Sequence, residues 1–270
     1  DNLYGIATLN KFCLPFGSTL SDIANLPGGP VPQVQVCKTI MIKHNDGAPA
    51  HVKLWRWQEH ASRCPGCGAV SAVHTQQMKL AVKNHIFMAK DPVGPFFSDA
   101  RTMQTEEKGL RDDQTRHGDV TAPDPSAPLQ YRLVMDTTTS STSKPSSLDD
   151  ACTSSDYVMH TAEARKFRDD AKSSKPIQGR QGMRFIPLAS NQFGRRGWHF
   201  QALLVELAWN RVLSPSGCWL LRGPFAMTKE GAVASILRSW GARLTWVIER
   251  GHALNVVSAF TDIGVFPKVV

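Results

Sequence analysis

A polar stretch from Thr137 to Asp156, in which 12 of 20 residues are serine or threonine, limits what this chain can fold into more than any of its apolar runs. Such a stretch has little apolar surface to offset the entropy of ordering it, so it reads as a loop or a disordered segment. Packed elements must therefore come from its flanks. Before it, Leu129 to Asp136 mixes β-branched, aromatic and long apolar residues and is the best strand candidate in the middle of the chain. After it, Met159 to Lys172 places Ala162, Glu163, Lys166 and Asp170 at turn spacing, which predicts a helix. A second strand is predicted at Met183 to Leu188, where Pro187 suggests an edge or a strand end.

The remainder is uneven. Residues 1 to 50, with Leu26-Pro27-Gly28-Gly29-Pro30, read as an irregular arm around one strand at Val34 to Ile42. A mixed basic segment, Lys79 to Lys90, has helical character, and Asp91 to Thr115 is a polar surface connection broken by Pro and Gly. Towards the end, Trp198 to Leu213 carries Phe200, Leu203, Leu204, Leu207 and Ala208 on one face and stops before Ser214-Pro215. A longer helix from about Thr228 to Ile248 repeats the pattern with Val233, Ile236, Leu237, Trp240, Leu244, Val247 and Ile248. These faces are core, not cofactor boxes. The expected class is α/β: a small mixed β-sheet flanked by helices, with an irregular N-terminal arm at 1–90, a core at 91–197 and a helical region at 198–270.

A formal net charge of +8 over 270 residues favours an acidic partner, nucleic acid above all. No run reaches the roughly 18 to 20 apolar residues of a membrane span, and no basic-then-apolar signal opens the chain, so a soluble intracellular protein is expected. The start at Asp1 reads as a processed or truncated product. Six cysteines spread this thinly do not describe a disulfide-stapled domain. Only Cys64 and Cys67 are close, in Arg63-Cys64-Pro65-Gly66-Cys67-Gly68. That turn could aim two thiolates at one zinc ion, which would need further ligands from His60, His74, His85 or Cys37; two reduced thiols in a Gly-Pro turn are the alternative.

Chemistry concentrates between Arg116 and Lys166. Asp119 lies in Arg116-His117-Gly118-Asp119-Val120, Asp136 closes the central strand, and Lys166 sits on the helix after it. Two carboxylates beside strand-like residues and a following lysine are what a metal-dependent phosphodiesterase needs. The plainer reading makes Asp119 a turn cap, Asp136 a strand end, and Lys166 a solvated helix residue paired with Glu163 or Asp170.

Several motifs occur in a telling order: Arg116 to Val120, Leu133 to Thr137, Glu163-Ala164-Arg165-Lys166, Gly182 to Leu188, Phe193-Gly194-Arg195-Arg196-Gly197, and Arg243 to Ala253. The series resembles the C-terminal part of LINE-type (non-LTR) retrotransposon polyproteins of algae and other protists, downstream of the reverse transcriptase. In that family a Cys/His knuckle precedes a restriction-enzyme-like endonuclease of the PD-(D/E)xK class, and the resemblance covers residues 60 to 260 loosely. It implies a restriction-endonuclease-like sheet in which Asp119 and Asp136 hold Mg²⁺ and Lys166 orients or helps deprotonate the attacking water. Further implications are phosphate contacts from Arg116, His117, Arg165, Arg195 and Arg196, and a zinc knuckle at Cys64, Cys67 and His74. Met78 stands where the family usually carries the fourth knuckle ligand, and His117 where it commonly has proline. Two functions follow as expectations. One is a Mg²⁺-dependent DNA endonuclease that nicks its target in the nucleus. The other is a captured, non-catalytic, basic subunit that serves a structural or nucleic-acid-binding role in a larger assembly, for instance in an organelle.

Overall fold

A computed structural model of the 270-residue chain describes residues 34–37, 50–53, 77–88, 103–107, 110, 118–125, 127, 131–140, 154, 156–191, 194–214, 218–224 and 226–262. The chain divides into two compact units, one made of Asp1–Gln76 with Ile248–Val270 and the other of Gln77–Val247. Within the first unit, β1 (Val34–Cys37) pairs antiparallel with β2 (Ala50–Lys53) in the register Val34↔Lys53. The strand predicted at Val34 to Ile42 is thus present at its first four residues, and its partner falls in a segment whose composition did not mark it.

In the second unit a helical segment, 77–87, comes first, its Val82–Phe87 part wound as a π-helix. It buries Met78, Ala81, Val82, Ile86 and Phe87. The sheet follows: β3 (Gln104–Glu107), β4 (Gly118–Pro123), β5 (Arg132–Ser140) and β6 (Met183–Asn191), in the spatial order β3-β4-β5-β6. The first three strands are antiparallel and β5–β6 is parallel. A parallel neighbour requires a crossover, and helix α1 (Tyr157–Ala171) lies between the two strands in the chain. The sheet is therefore mixed and small, with helices around it.

Several elements differ from the sequence reading. The Ser/Thr stretch contributes its first four residues to β5, where Thr137↔Leu188, Thr138↔Ala189, Thr139↔Ser190 and Ser140↔Asn191 continue the parallel ladder. Threonine is β-branched and suits a pleated strand, and here Thr137 and Thr138 are buried with partners for their hydroxyls. The segment expected to be a plain connection contains β3, whose Gln-Thr-Glu-Glu has no apolar alternation to betray it. Polar pairing holds that strand: Glu107 accepts from the Thr121 hydroxyl at 2.5 Å and pairs with Arg132 at 2.6 Å.

Helix α1 packs on β5 and β6. Val158, Met159 and Ala162 close over Ala189, and Phe167 meets the edge of Phe185 at 5.7 Å beside Leu110, Val134 and Ile177. The turn leaving α1 is tied by buried Asp170, which accepts from the backbone of Ile177 and Gln178. Helix α2 (Trp198–Leu213) buries the five predicted apolar residues and Val212. Its Glu206 receives a fork from Arg184 of β6 at 2.7 and 2.6 Å. Helix α3 spans Lys229–Asp262, longer than its apolar pattern indicates, and buries Val233, Ile236, Trp240 and Leu244. Among the described residues no helix is long and apolar enough to cross a membrane.

Candidate active site on the mixed sheet

Asp119 is the second residue of β4 and Asp136 the fifth of β5. The antiparallel register places Val120 opposite Met135, so Asp119 and Asp136 sit one step farther along, facing each other across the two strands. Each carboxyl acts on the other: the Asp119 charge pushes the Asp136 carboxyl up, because two bare carboxylates facing each other repel. Two lysines reach the pair. Lys166 of α1 places its Nζ 3.0 Å from Asp136 Oδ1, and Lys79 of the 77–87 helix places its Nζ 2.9 Å from Asp119 Oδ1. The second oxygen of Asp119 accepts both the backbone N–H and the hydroxyl of Thr137, each at 2.7 Å.

The carboxyls are set apart electrostatically. Burial drives the Asp136 carboxyl up to about 6, with the Asp119 charge adding to the rise and Lys166 opposing it. Burial acts on Asp119 in the same sense, but hydrogen bonds from Asp136, Lys79 and Thr137, together with the Lys79 charge, hold it below the ordinary carboxylate value. Of the two, Asp136 is the carboxyl that keeps its proton more readily.

Hard oxygen donors of this kind suit magnesium, which commonly takes one or two carboxylates and fills its remaining positions with water and substrate phosphates. Two facing carboxylates fit that requirement. Among the described residues no group of three or more His, Cys, Asp or Glu could hold a metal ion, so the pair does not offer the closed four-ligand set of structural zinc. Cys64, Cys67 and His74 of the predicted knuckle lie outside the described residues. Met78, which stands in the place of the fourth knuckle ligand, is buried in the helix beside Lys79.

Of the basic residues predicted to meet phosphate, Arg165, Arg195 and Arg196 are among the described residues. Arg116 and His117 lie outside the described residues. Arg165 is exposed on α1, next to Lys166, and donates to the Thr138 hydroxyl at 3.2 Å. Arg195 is exposed and paired with Asp156 at 2.6 Å. Arg196 turns inward: its Nη1 lies 3.5 Å from the carbonyls of Gly194 and Gly241, and burial lowers its pKa.

Sequence reasoning singled out Asp119, Asp136 and Lys166, and the fold brings all three together. It passed over Lys79, visible only as one charge in a basic segment, and Thr137, hidden in the Ser/Thr stretch. Nor did it find the contact between Glu163 and His199. Glu163 is buried on α1 one turn before Lys166, and its two oxygens take the His199 backbone N–H at 2.9 Å and ring Nδ1 at 3.0 Å. The carboxylate thereby caps the first turn of α2, the work an N-cap side chain usually does. Gly197 makes room for it, since a Cβ there would lie 2.6 Å from Glu163 Cδ. Gly197→Ala is expected to cost about 1–3 kcal/mol, as overpacking does, measured as a lower urea midpoint with an unchanged slope.

Comparison with family models, curated proteins and solved structures gives no match for this chain.

Proposed function

We propose that this chain is a Mg²⁺-dependent DNA endonuclease domain of retroelement origin, built on a restriction-endonuclease-like sheet, that nicks its target strand. The observation that carries the reading is the meeting of Asp119, Asp136 and Lys166, from two adjacent strands and the crossover helix, at a mixed sheet flanked by helices. In the PD-(D/E)xK pattern the lysine stands two residues after the second carboxylate. That position is Thr138 here, and Lys166 supplies the ammonium from α1 instead.

Asp119 and Asp136 would hold the metal. Bound there, magnesium supplies charge neutralisation at the phosphoryl group and a more acidic attacking water. Metal binding there would require Asp136 to give its proton to solvent water, so that both carboxylates are free. Thr137 keeps Asp119 in one orientation through two hydrogen bonds, and Lys166 orients the water or steadies a phosphate oxygen. Exposed Arg165 and Arg195, with Arg116 and His117, take backbone phosphates as positioning contacts.

One observation favours a second reading, a non-catalytic nucleic-acid-binding subunit: each carboxylate already has its own lysine, so the cluster is neutralised by the chain itself. Relaxation of supercoiled plasmid to open circle decides between them. On the first reading the purified protein nicks with Mg²⁺ and not with EDTA, and Lys166→Ala lowers the rate by about 10²–10⁴-fold, the range for a positioned proton-transfer group. Full-rate nicking by Lys166→Ala removes that lysine from the chemistry. No nicking by the wild-type protein at any Mg²⁺ level leaves the second reading.

A further inference from the structure

The geometry points to a nucleotide-binding platform at the start of α2, where Trp198 stacks on an unpaired base and His199 meets the adjoining phosphate. Trp198 leaves 76% of its surface exposed, the largest fraction among the exposed large hydrophobic residues that are described. Tryptophan is seldom left this bare, because its ring gains from any apolar or aromatic cover. A nucleobase is such a cover and accepts any sequence, since every base has a π-face.

The neighbouring side chain is held for a ligand of the other kind. The Glu163 side chain faces ring Nδ1 of His199 at 3.0 Å, and a carboxyl oxygen in that place favours the tautomer with its hydrogen on Nδ1. The edge of Phe167, 4.8 Å away, fixes the ring plane. The histidine side chain remains 45% exposed while its glutamate is 3% exposed, so Nε2 is the nitrogen left for an outside partner. When the ring is protonated, Nε2–H donates to a phosphate oxygen. Arg195, three residues before Trp198, adds a guanidinium that pairs, among the described residues, with the exposed carboxylate of Asp156. Exposed pairs of this type are weak and exchange readily, so a phosphate can take the place of Asp156. Base stacking plus phosphate contacts is the combination by which proteins hold single strands. This inference rests on the nucleic-acid reading above, though not on cleavage.

The test is fluorescence anisotropy of a fluorescein-labelled oligothymidylate with the full chain. Trp198→Ala is expected to weaken binding about ten-fold, within the stacking contribution of one base, and Trp198→Phe to retain most of the affinity. His199→Ala should weaken binding about three-fold and reduce the slope of log affinity against log salt by about 0.7, as for one lost single-strand phosphate contact. Trp246→Ala, at a half-exposed tryptophan of α3, is the control and should bind as wild type. Equal affinities for wild type, Trp198→Ala and Trp246→Ala would overturn the platform, as would failure of the wild-type protein to bind the oligonucleotide. Plasmid nicking keeps the two readings apart. Nicking with Trp198-independent binding removes only the platform, and Trp198-dependent binding without nicking removes only the endonuclease.

Discussion

Asp136→Ala is expected to bring Mg²⁺-dependent nicking below detection, the largest single effect in this protein. The substitution takes away one of the two facing carboxylates and the partner of Lys166 together. With one hard ligand left, the charge that must be neutralised on the phosphoryl group has no fixed counterweight. The wild-type profile should carry the same residue's signature. Activity should rise through about pH 6, because the carboxyl pushed up to about 6 by burial must lose its proton first. Stability runs the other way. The ordinary value is 3.8, so between about pH 4 and 6 the folded chain keeps a proton that the unfolded chain has released. The contribution of Asp136 is therefore present at low pH and lost as pH rises through about 6. Urea melts of wild type and Asp136→Asn across that window report this directly. An identical pH dependence in the two proteins would detach Asp136 from the stability profile, and nicking that survives Asp136→Ala would detach it from the chemistry.

Lys79→Met should cost about 3 kcal/mol of stability, at the lower end for breaking one side of a buried ion pair. The Lys79 and Asp119 side chains are 9% and 12% exposed. Removing the ammonium leaves Asp119 with the two Thr137 hydrogen bonds and the Asp136 carboxyl. These satisfy its oxygens without neutralising its charge. For a unit of this size the loss corresponds to a melting temperature lower by roughly 6–12 °C. The double variant Lys79→Met/Asp119→Leu should recover most of it, since an apolar pair of similar volume often replaces a buried ion pair with little loss. A single variant as stable as wild type would mean that water reaches Asp119.

Elements whose stability comes from an apolar face were legible in the sequence. Trp198 to Leu213 is the helix its period indicates, Pro187 marks an edge strand, and the strand core Leu133-Val134-Met135 is wholly buried. Elements held by polar pairing were not. Four polar residues form β3 because Glu107 finds Thr121 and Arg132, and Thr137–Ser140 extend β5 because β6 offers a ladder to join. The site divides along the same line. Asp119 and Asp136 stood beside strand-like runs and could be guessed, whereas Lys79 precedes Asp119 by forty positions and reaches it only through tertiary packing.

The outer side of β6 is closed in two ways. Pro187 sits in mid-strand and has no N–H to offer a further strand. Beyond it the chain folds back on itself, with Ser190 bridged to Arg196, Asn191 N–H donating to Arg195 and Gly197 N–H to Ala189. Open sheet edges are where copies of a protein add to one another in fibrils and swapped dimers. At the opposite border stands β3, four residues long with two glutamates, both features that discourage addition. Among the described strands, a sheet with one border shut and the other short and charged resists edge-to-edge aggregation through its backbone.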